Sequence, residues 1–399
     1  MSDEVALLRA IYANPDDDTP RLVYADWLDE HDQSERAELI RVEIELAKQD
    51  DTTDEFRTLY NRESELLKDH GGRWTAHLAP FNDGALFIDF ARGFPEIVEA
   101  HGAVPADFEV LHHLPGLRTL EVQNSTLSPD VLRDIARLRY LDRLTIWYTP
   151  FDPSWLELLD PLPCWTYVCI AGQEERINQA EWEAFQERRI SRVTRLAPEQ
   201  QRLAAIRYLR GLKWHNKIVQ PGRPVKKAVL RQVSTSDPEL RLLSYLPELE
   251  EIEIAEGRET SAGLRYLSGL PNLKKVWLGP AHAESLVPLM NCTTLEHLEY
   301  WGDGVPFSDE SVVGLERLTK LRHLALYPVG DGVQLGDETL RRIGSLVELR
   351  TLKLYLVPPD DRDLLAALTN LTKLESLALD QVEYTGAKLK QLLHRFGKQ

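Results

Sequence analysis

The pattern L-x-x-L-x-L recurs through the C-terminal three-quarters of this 399-residue chain and restricts what it can fold into. Copies start at Leu117 (LRTLEV), Leu141 (LDRLTI), Leu249 (LEEIEI), Leu273 (LKKVWL), Leu295 (LEHLEY), Leu321 (LRHLAL), Leu349 (LRTLKL) and Leu374 (LESLAL). Altered copies stand at Trp165 (WTYVCI) and Val225 (VKKAVL), and a weak one at Phe94 (FPEIVE). Successive starts lie 22 to 28 residues apart, except for one jump of 60 between Trp165 and Val225. A unit of about 24 residues cannot bury its own apolar face, so a sustained period of this size calls for stacked copies.

Alternation along a strand sends the first, fourth and sixth motif residues inward and the others outward. Between the motifs lie helix-like segments such as SPDVLRDIARL, DPSWLELLDPL, DPELRLLSYL, SDESVVGLERL, GDETLRRIGSL and DDRDLLAALTNL. Several open on Ser or Asp, which cap helix N-termini, and Pro129, Pro153 and Pro238 sit where a first helical turn accepts proline. Over roughly residues 90–399 the chain resembles the leucine-rich-repeat family. That resemblance implies an α/β solenoid with parallel strands on the concave side and helices on the convex side. It departs from the family at the ninth motif position, where the usual Asn or Cys is absent. Ser125, Thr149, Gly257, Ala281, Asp303, Val329, Val357 and Val382 stand there instead. The ascending loops must therefore satisfy their backbone groups in another way.

The 60-residue jump contains AEWEAFQERRISRVTRLAPEQQRLAAIRYLRGLKW, with Pro198 dividing two predicted helices. It reads as a helical insertion or degenerate repeats over 171–224. Charge is uneven along the chain. Residues 1–70 carry 8 Lys/Arg against 20 Asp/Glu, whereas 171–230 carry 13 against 6, within a net charge of −17. The two regions either have different partners or face each other. For the basic stretch, an acidic or phosphate-rich partner competes with a solvated helical face that compensates nearby acids.

The first 72 residues read as a small acidic helical module. Val5, Leu8 and Tyr12 share a helical face; Thr19-Pro20 opens a second helix; 34–48 and 53–70 form two more, the last ending at His70-Gly71-Gly72. Leu39, Ile40, Ile44, Phe56, Leu59, Tyr60, Leu66 and Leu67 are expected inward. Asp16, Asp17 and Asp18 lie at the positive end of the second helix, which accounts for them electrostatically. A calcium loop is excluded because Trp27 occupies the position of its closing Glu. Asp17, Asp18, Pro20 to Leu28, Glu30, Arg36, Ala37, Glu38, Ile40 and Arg41 match the pattern DDxPRLVYADWLxExxxxxRAExIR. On those residues the segment 7–46 resembles the bacterial repeat-companion domain, which precedes leucine-rich repeats; RGF at Arg92 resembles the segment leading into them. The resemblance carries no established activity. Arg21, Asp26, Arg36, Glu38 and Arg41 are expected in ion pairs between helices, and Tyr24 and Trp27 as packing anchors.

An apolar fraction of 43% supports a core, and no run approaches the roughly eighteen apolar residues of a membrane span. The acidic start MSDEVALLRAIY does not read as a secretory signal, so a cytoplasmic location is expected. Cys164, Cys169 and Cys292 read as core thiols rather than disulfide partners or metal ligands. Nucleophile elbow, zinc-protease, Walker and dinucleotide-binding patterns are absent from the sequence, and His112-His113 and the other histidines lack ligand spacing. The chain is therefore expected to be non-enzymatic, with no cofactor and no metal.

What remains is surface. Motif positions two, three, five and seven face the concave side or its rim. The seventh reads Gln123, Trp147, Ala171, Arg231, Ala255, Gly279, Trp301, Tyr327, Tyr355 and Asp380. Trp301, Tyr327 and Tyr355 should stack about 5 Å apart on successive strands, with Trp277 beside them. Trp277, Trp301, Tyr327, Tyr355, Trp147, His297, His323, Arg322 and Lys353 are the candidate residues for a protein or peptide partner on the concave face. An adaptor whose N-terminal module docks an effector is the alternative; a nucleic-acid binder or enzyme using 171–227 ranks below it, and no membrane partner is expected.

Overall fold

The structure, a computed structural model, describes residues 3–14, 16–49, 52–81, 84–172, 177–212, 224–230, 237–255, 260–281, 284–302, 304, 307–329, 335–355, 368–379, 382–389 and 391. Arg231, Gly257, Asp303, Val357, Asp380 and most of the segment 360–371 lie outside these residues. The chain divides into two compact units, 1–223 and 224–399.

The first unit opens with four helices: α1 (Asp3–Ala13), α2 (Thr19–Asp29), α3 (Ser34–Leu46) and α4 (Asp54–Trp74). A five-stranded sheet follows, in the order β1 (Leu86–Ala91), β2 (Phe94–His101), β3 (Thr119–Gln123), β4 (Arg143–Trp147) and β5 (Tyr167–Ala171). Helix α5 (Pro129–Ile135) lies between β3 and β4, and α6 (Gln179–Ile190) and α7 (Pro198–Gly211) follow β5. The hairpin β1–β2 is antiparallel, and the remaining pairs are parallel and in step.

The helices of the module pack on Ile11, Tyr24, Ala25, Leu28, Ala37, Ile40, Ile44 and Phe94. Ile11 is the fully buried residue of α1, whereas Val5 is exposed. In α4, Leu66 is buried but Tyr60 is exposed and stacks on Phe56. Helix α4 does not stop at Gly71-Gly72; it continues to Trp74, whose ring meets Phe90 edge-on while the Arg36 guanidinium lies 5.1 Å from its centre. This tertiary anchor outweighs the local cost of two glycines, each about 1 kcal/mol. Arg36 thus serves as a cation over aromatic rings, whereas Arg41 pairs with Asp26 and Asp29, and Glu38 with Arg62.

The hairpin turn is Arg92-Gly93, with φ of 50° and 83°. Both left-handed residues fit the turn that matches strand twist. Gly93 donates its N–H to Glu43 Oε2 at 2.6 Å, and a Cβ on it would lie 2.1 Å from Ile40 Cγ1. Glycine is required there by conformation and by space alike.

The aspartates before α2 do more than face a helix end. Asp16 is clamped by Arg118, at 2.8 Å, by Arg207, at 2.6 Å, and by Arg210. Asp17 accepts the Thr19 N–H at 2.9 Å, and Asp18 pairs with Arg92. Arg21 forms a buried pair with Glu96 at 2.5 Å. Burial acts to raise the Asp16 pKa, but Arg118, Arg210 and Arg207 outweigh it and hold the carboxyl well below its usual range. The acidic start and the basic 171–224 segment therefore meet.

Helix α7 also bears on the strand surface. The Arg143 guanidinium donates to the Gly211 carbonyl at 2.8 Å, and Tyr167 meets Tyr208 edge-on. Arg143, Thr145 and Tyr167 are consequently buried. Motif positions three and five, expected on the concave side, are thus covered at β4 and β5 by the chain's own helix.

The missing asparagine ladder has a hydroxyl substitute in this unit. The Ala103 N–H donates to Ser125 Oγ at 3.0 Å, the Ser125 N–H to Thr149 Oγ1 at 3.2 Å, and Thr149 Oγ1 in turn to the Trp147 carbonyl at 2.9 Å. Each bond reaches one repeat onward or closes the turn, so the ascending loops are joined.

The second unit holds an eight-stranded sheet: β6 (Lys227–Leu230), β7 (Glu251–Ile254), β8 (Lys275–Ala281), β9 (His297–Gly302), β10 (His323–Tyr327), β11 (Thr351–Leu354), β12 (Ser376–Leu379) and β13 (Val382–Thr385). All neighbours are parallel except β12–β13, an antiparallel hairpin. Helices α8 (Asp237–Leu243) and α9 (Asp337–Gly344) and short 3₁₀ turns connect the strands. The first, fourth and sixth motif residues are buried in every copy here, from Val225, Ala228 and Leu230 to Leu374, Leu377 and Leu379. Asp309 ties adjacent repeats together by accepting the N–H groups of Gly336 and Thr339 at 2.9 and 3.1 Å at the start of α9. Cys164 and Cys292 are buried, Cys169 is half-buried, and burial pushes the Cys292 thiol up to about 11. Among the described residues no helix is long and apolar enough to cross a membrane.

Candidate binding face of the second sheet

Parallel register converts motif position into rows across the exposed strand face. Position three gives Lys227, Glu251, Lys275, His297, His323, Thr351 and Ser376; position five gives Val229, Glu253, Trp277, Glu299, Ala325, Lys353 and Ala378. At position seven Trp301 lies opposite Tyr327 on one side and Pro280 on the other, because β8 shifts register after Leu278.

The position-three row begins as an alternating charge ladder. Lys275 lies 2.7 Å from Glu251, and Lys227 lies 3.5 Å from Glu251 and 3.7 Å from Glu253. A shallow cleft of about 230 Å³ runs over these residues to Trp277 and His297. Next come the two imidazoles, stacked parallel at 3.9 Å with planes 1° apart. Both Nε2 atoms point toward Glu299 Oε2, from 3.7 Å for His297 and 3.6 Å for His323.

Glu299 is the centre of the face. Its Oε1 accepts the Trp301 indole N–H at 2.9 Å. Burial works to raise its pKa, but the imidazoles of His297 and His323 and the indoles of Trp301 and Trp277 around it prevail and hold it well below the carboxylate range. Trp301 meets Tyr327 with ring centres 4.7 Å apart and planes tilted by 42°. Trp301 is 42% exposed. Burial, then the charge of Glu299, raises the Tyr327 phenol.

Five of the nine candidate residues are thus gathered: Trp277, Trp301, Tyr327, His297 and His323, with Lys353 two strands along the same row as Glu299. Tyr355 lies one residue past β11, half-buried, its N–H bonded to the Leu326 carbonyl. Arg322 belongs to a different line. It sits before β10 on the rim and pairs with Glu296 at 3.5 Å, just as Lys274 pairs with Glu250. Trp147 ends β4 in the first unit's sheet and is no part of this group. Glu299, which organises the group, stands in the sequence among the charged residues flanking the aromatic row and is not one of the nine candidates. The available signal was histidine at position three in consecutive motifs, LEHLEY and LRHLAL, with a glutamate at position five between them.

Stacked repeats of one strand and one helix or 3₁₀ turn, with leucines at fixed inward positions, define a leucine-rich-repeat α/β fold carrying an N-terminal helical segment. No protein-family model matches the chain, and no curated protein matches it. Solved structures with similar folds include an internalin from Listeria monocytogenes (17% identity, 68% of this chain and 56% of that one, TM-score 0.30). A second is internalin C2 of the same species (16%, 50% and 92%, 0.30). A third is a leucine-rich-repeat protein of Leptospira interrogans (14%, 73% and 67%, 0.31). The chain spans just over half of the first of these. The fold assignment rests on strand register and buried leucines rather than on these likenesses.

Proposed function

We propose that the chain is a non-catalytic protein-interaction scaffold whose binding face is the exposed strand surface of the second unit, centred on Trp277, Trp301 and Tyr327. The observation that carries this reading is the pre-ordered aromatic pair: Trp301 is exposed, yet its ring is held against Tyr327 and its N–H by Glu299. Rigid exposed aromatics give up little entropy on binding, and Trp and Tyr dominate interface energetics. A charge ladder alongside supplies register. A protein or extended peptide suits an open face better than a small metabolite, which prefers enclosure.

The N-terminal helices, matching the repeat-companion pattern, act in this reading as a cap. Support comes from the buried Arg21–Glu96 pair and the Asp16 clamp, which tie them into the first unit. The same clamp removes Arg207 and Arg210 from use by a nucleic acid. The test is affinity capture with the wild-type chain and the double variant Trp301→Ala/Tyr327→Ala, followed by titration of the captured protein in purified form. Binding to wild type with at least about tenfold loss in the variant, and an unchanged melting temperature, is the expected result; equal affinity for both would overturn the assignment of the face.

A further inference from the structure

We propose that His297, Glu299 and His323 form a binding site for a divalent first-row transition metal ion of zinc-like preference. Among the described residues, this is the group of three His, Cys, Asp or Glu side chains whose ligand atoms all lie within 4.8 Å of one another. The distances fit a metal better than hydrogen bonds. Both Nε2 atoms stand 3.6–3.7 Å from the same carboxylate oxygen, beyond an N–H···O bond of about 2.7–3.2 Å. Tetrahedral zinc with ligands at about 2.0–2.1 Å separates its ligand atoms by roughly 3.3–3.5 Å, close to both Nε2–Oε2 separations, and the stacked rings must turn toward one another for both nitrogen lone pairs to meet at one ion. His323 Nε2 is enclosed and has no hydrogen-bond partner, the state in which an imidazole nitrogen is available to a cation.

The surroundings orient the ligands. Trp301 holds Glu299 Oε1, which leaves Oε2 to face the imidazoles, the role that outer groups play at metal sites. In-step pairing of His297 with His323 fixes the two rings side by side. The nearest row cation, Lys275, is neutralised by Glu251. Two imidazoles and one carboxylate select zinc, cobalt, nickel or copper over magnesium or calcium, which favour all-oxygen shells. The outer side of the group faces solvent, leaving a coordination position for water or for an acidic or imidazole side chain of a bound protein.

The test is titration of the tag-free full chain with cobalt(II), read by visible absorption, and with zinc(II), read by calorimetry. One saturable equivalent is expected, with affinity reduced at least about tenfold by His297→Ala or His323→Ala while circular dichroism is unchanged. Absence of saturable binding, or binding that survives both substitutions, would overturn the site. If either histidine variant fails to fold, Glu299→Gln, which keeps an acceptor for Trp301, decides in the same way. No partner protein is present in this measurement, so its failure leaves the proposed aromatic face standing.

Discussion

Asp16 Oδ2 lies 2.6 Å from the Arg207 guanidinium, joining residues 191 positions apart in the chain. Arg118 and Arg210 share the same carboxylate, and Asp142 pairs with Arg118 at 2.8 Å. The cluster gathers the start of α2, the strand edge and α7 around one anion.

Removing that anion takes from three enclosed guanidinium groups the carboxylate they share. Asp16→Asn should destabilise the first unit by about 3 kcal/mol, the scale for breaking one side of a buried ion network. Urea unfolding followed by far-ultraviolet circular dichroism measures it, and a loss under about 1 kcal/mol would show the clamp to be incidental. Because the folded pKa is depressed, the wild-type contribution is complete above the unfolded carboxylate range and disappears as pH falls below it; the variant should lack that acid-sensitive component.

Glu63 carries the opposite sign. Burial, and then Asp89, push its carboxyl up to about 7 in the fold, above its ordinary 4.5. A raised carboxyl binds its proton more tightly when folded. Its contribution is therefore complete below pH 4.5 and is lost as pH rises towards 7. Glu63→Gln should leave stability nearly unchanged at acid pH and increase it in alkaline buffer. Denaturation midpoints at two pH values, compared between wild type and variant, decide the matter; a pH-independent difference would refute it.

Gly93→Ala adds a methyl group where Ile40 already stands, at a left-handed φ. Strain and overpacking together should cost at least about 2 kcal/mol. The damage should appear first as faster amide exchange in β1, β2 and α3. Unaltered exchange there would mean that the hairpin does not depend on this close approach.

Ser125→Ala breaks the hydroxyl ladder and leaves the enclosed Ala103 N–H without its acceptor. A loss of about 1–3 kcal/mol follows from the desolvation cost of an unpaired donor. Ser125→Asn, which places there the side chain usual at this position of leucine-rich repeats, should recover most of it. Thermal melts of the two variants give the comparison, and equal destabilisation by both would reject a ladder role.

Sequence reasoning reached whatever repeats. Leu117, Leu120 and Val122, and their equivalents from Leu249 to Leu379, were placed inward by period alone, and they are buried. It also placed Trp301 beside Tyr327, because register follows from motif alignment. What it missed depends on contacts across long separations or on single tertiary anchors. The charge asymmetry offered contact between the acidic start and the basic segment as one of two readings, but nothing marked Asp16 as the residue that joins them. Trp74 prolongs α4 past two glycines because Phe90 and Arg36 are waiting for it. Helix α7 lies over β4 and β5 through Arg143 and Gly211, which no periodicity marks. His297 and His323 lacked ligand spacing along the chain, yet one repeat of separation becomes one strand of separation in space.

In β9 and β10 the inward letters, Leu298, Tyr300, Leu324 and Leu326, alternate with outward ones, His297, Glu299, Trp301, His323 and Tyr327, and Ala325 is the buried exception in the outward row. Stability and surface chemistry are thus inscribed on interleaved, nearly independent channels of one ribbon. A new specificity can be composed by rewriting every second residue, one column at a time, while the interior keeps its original text.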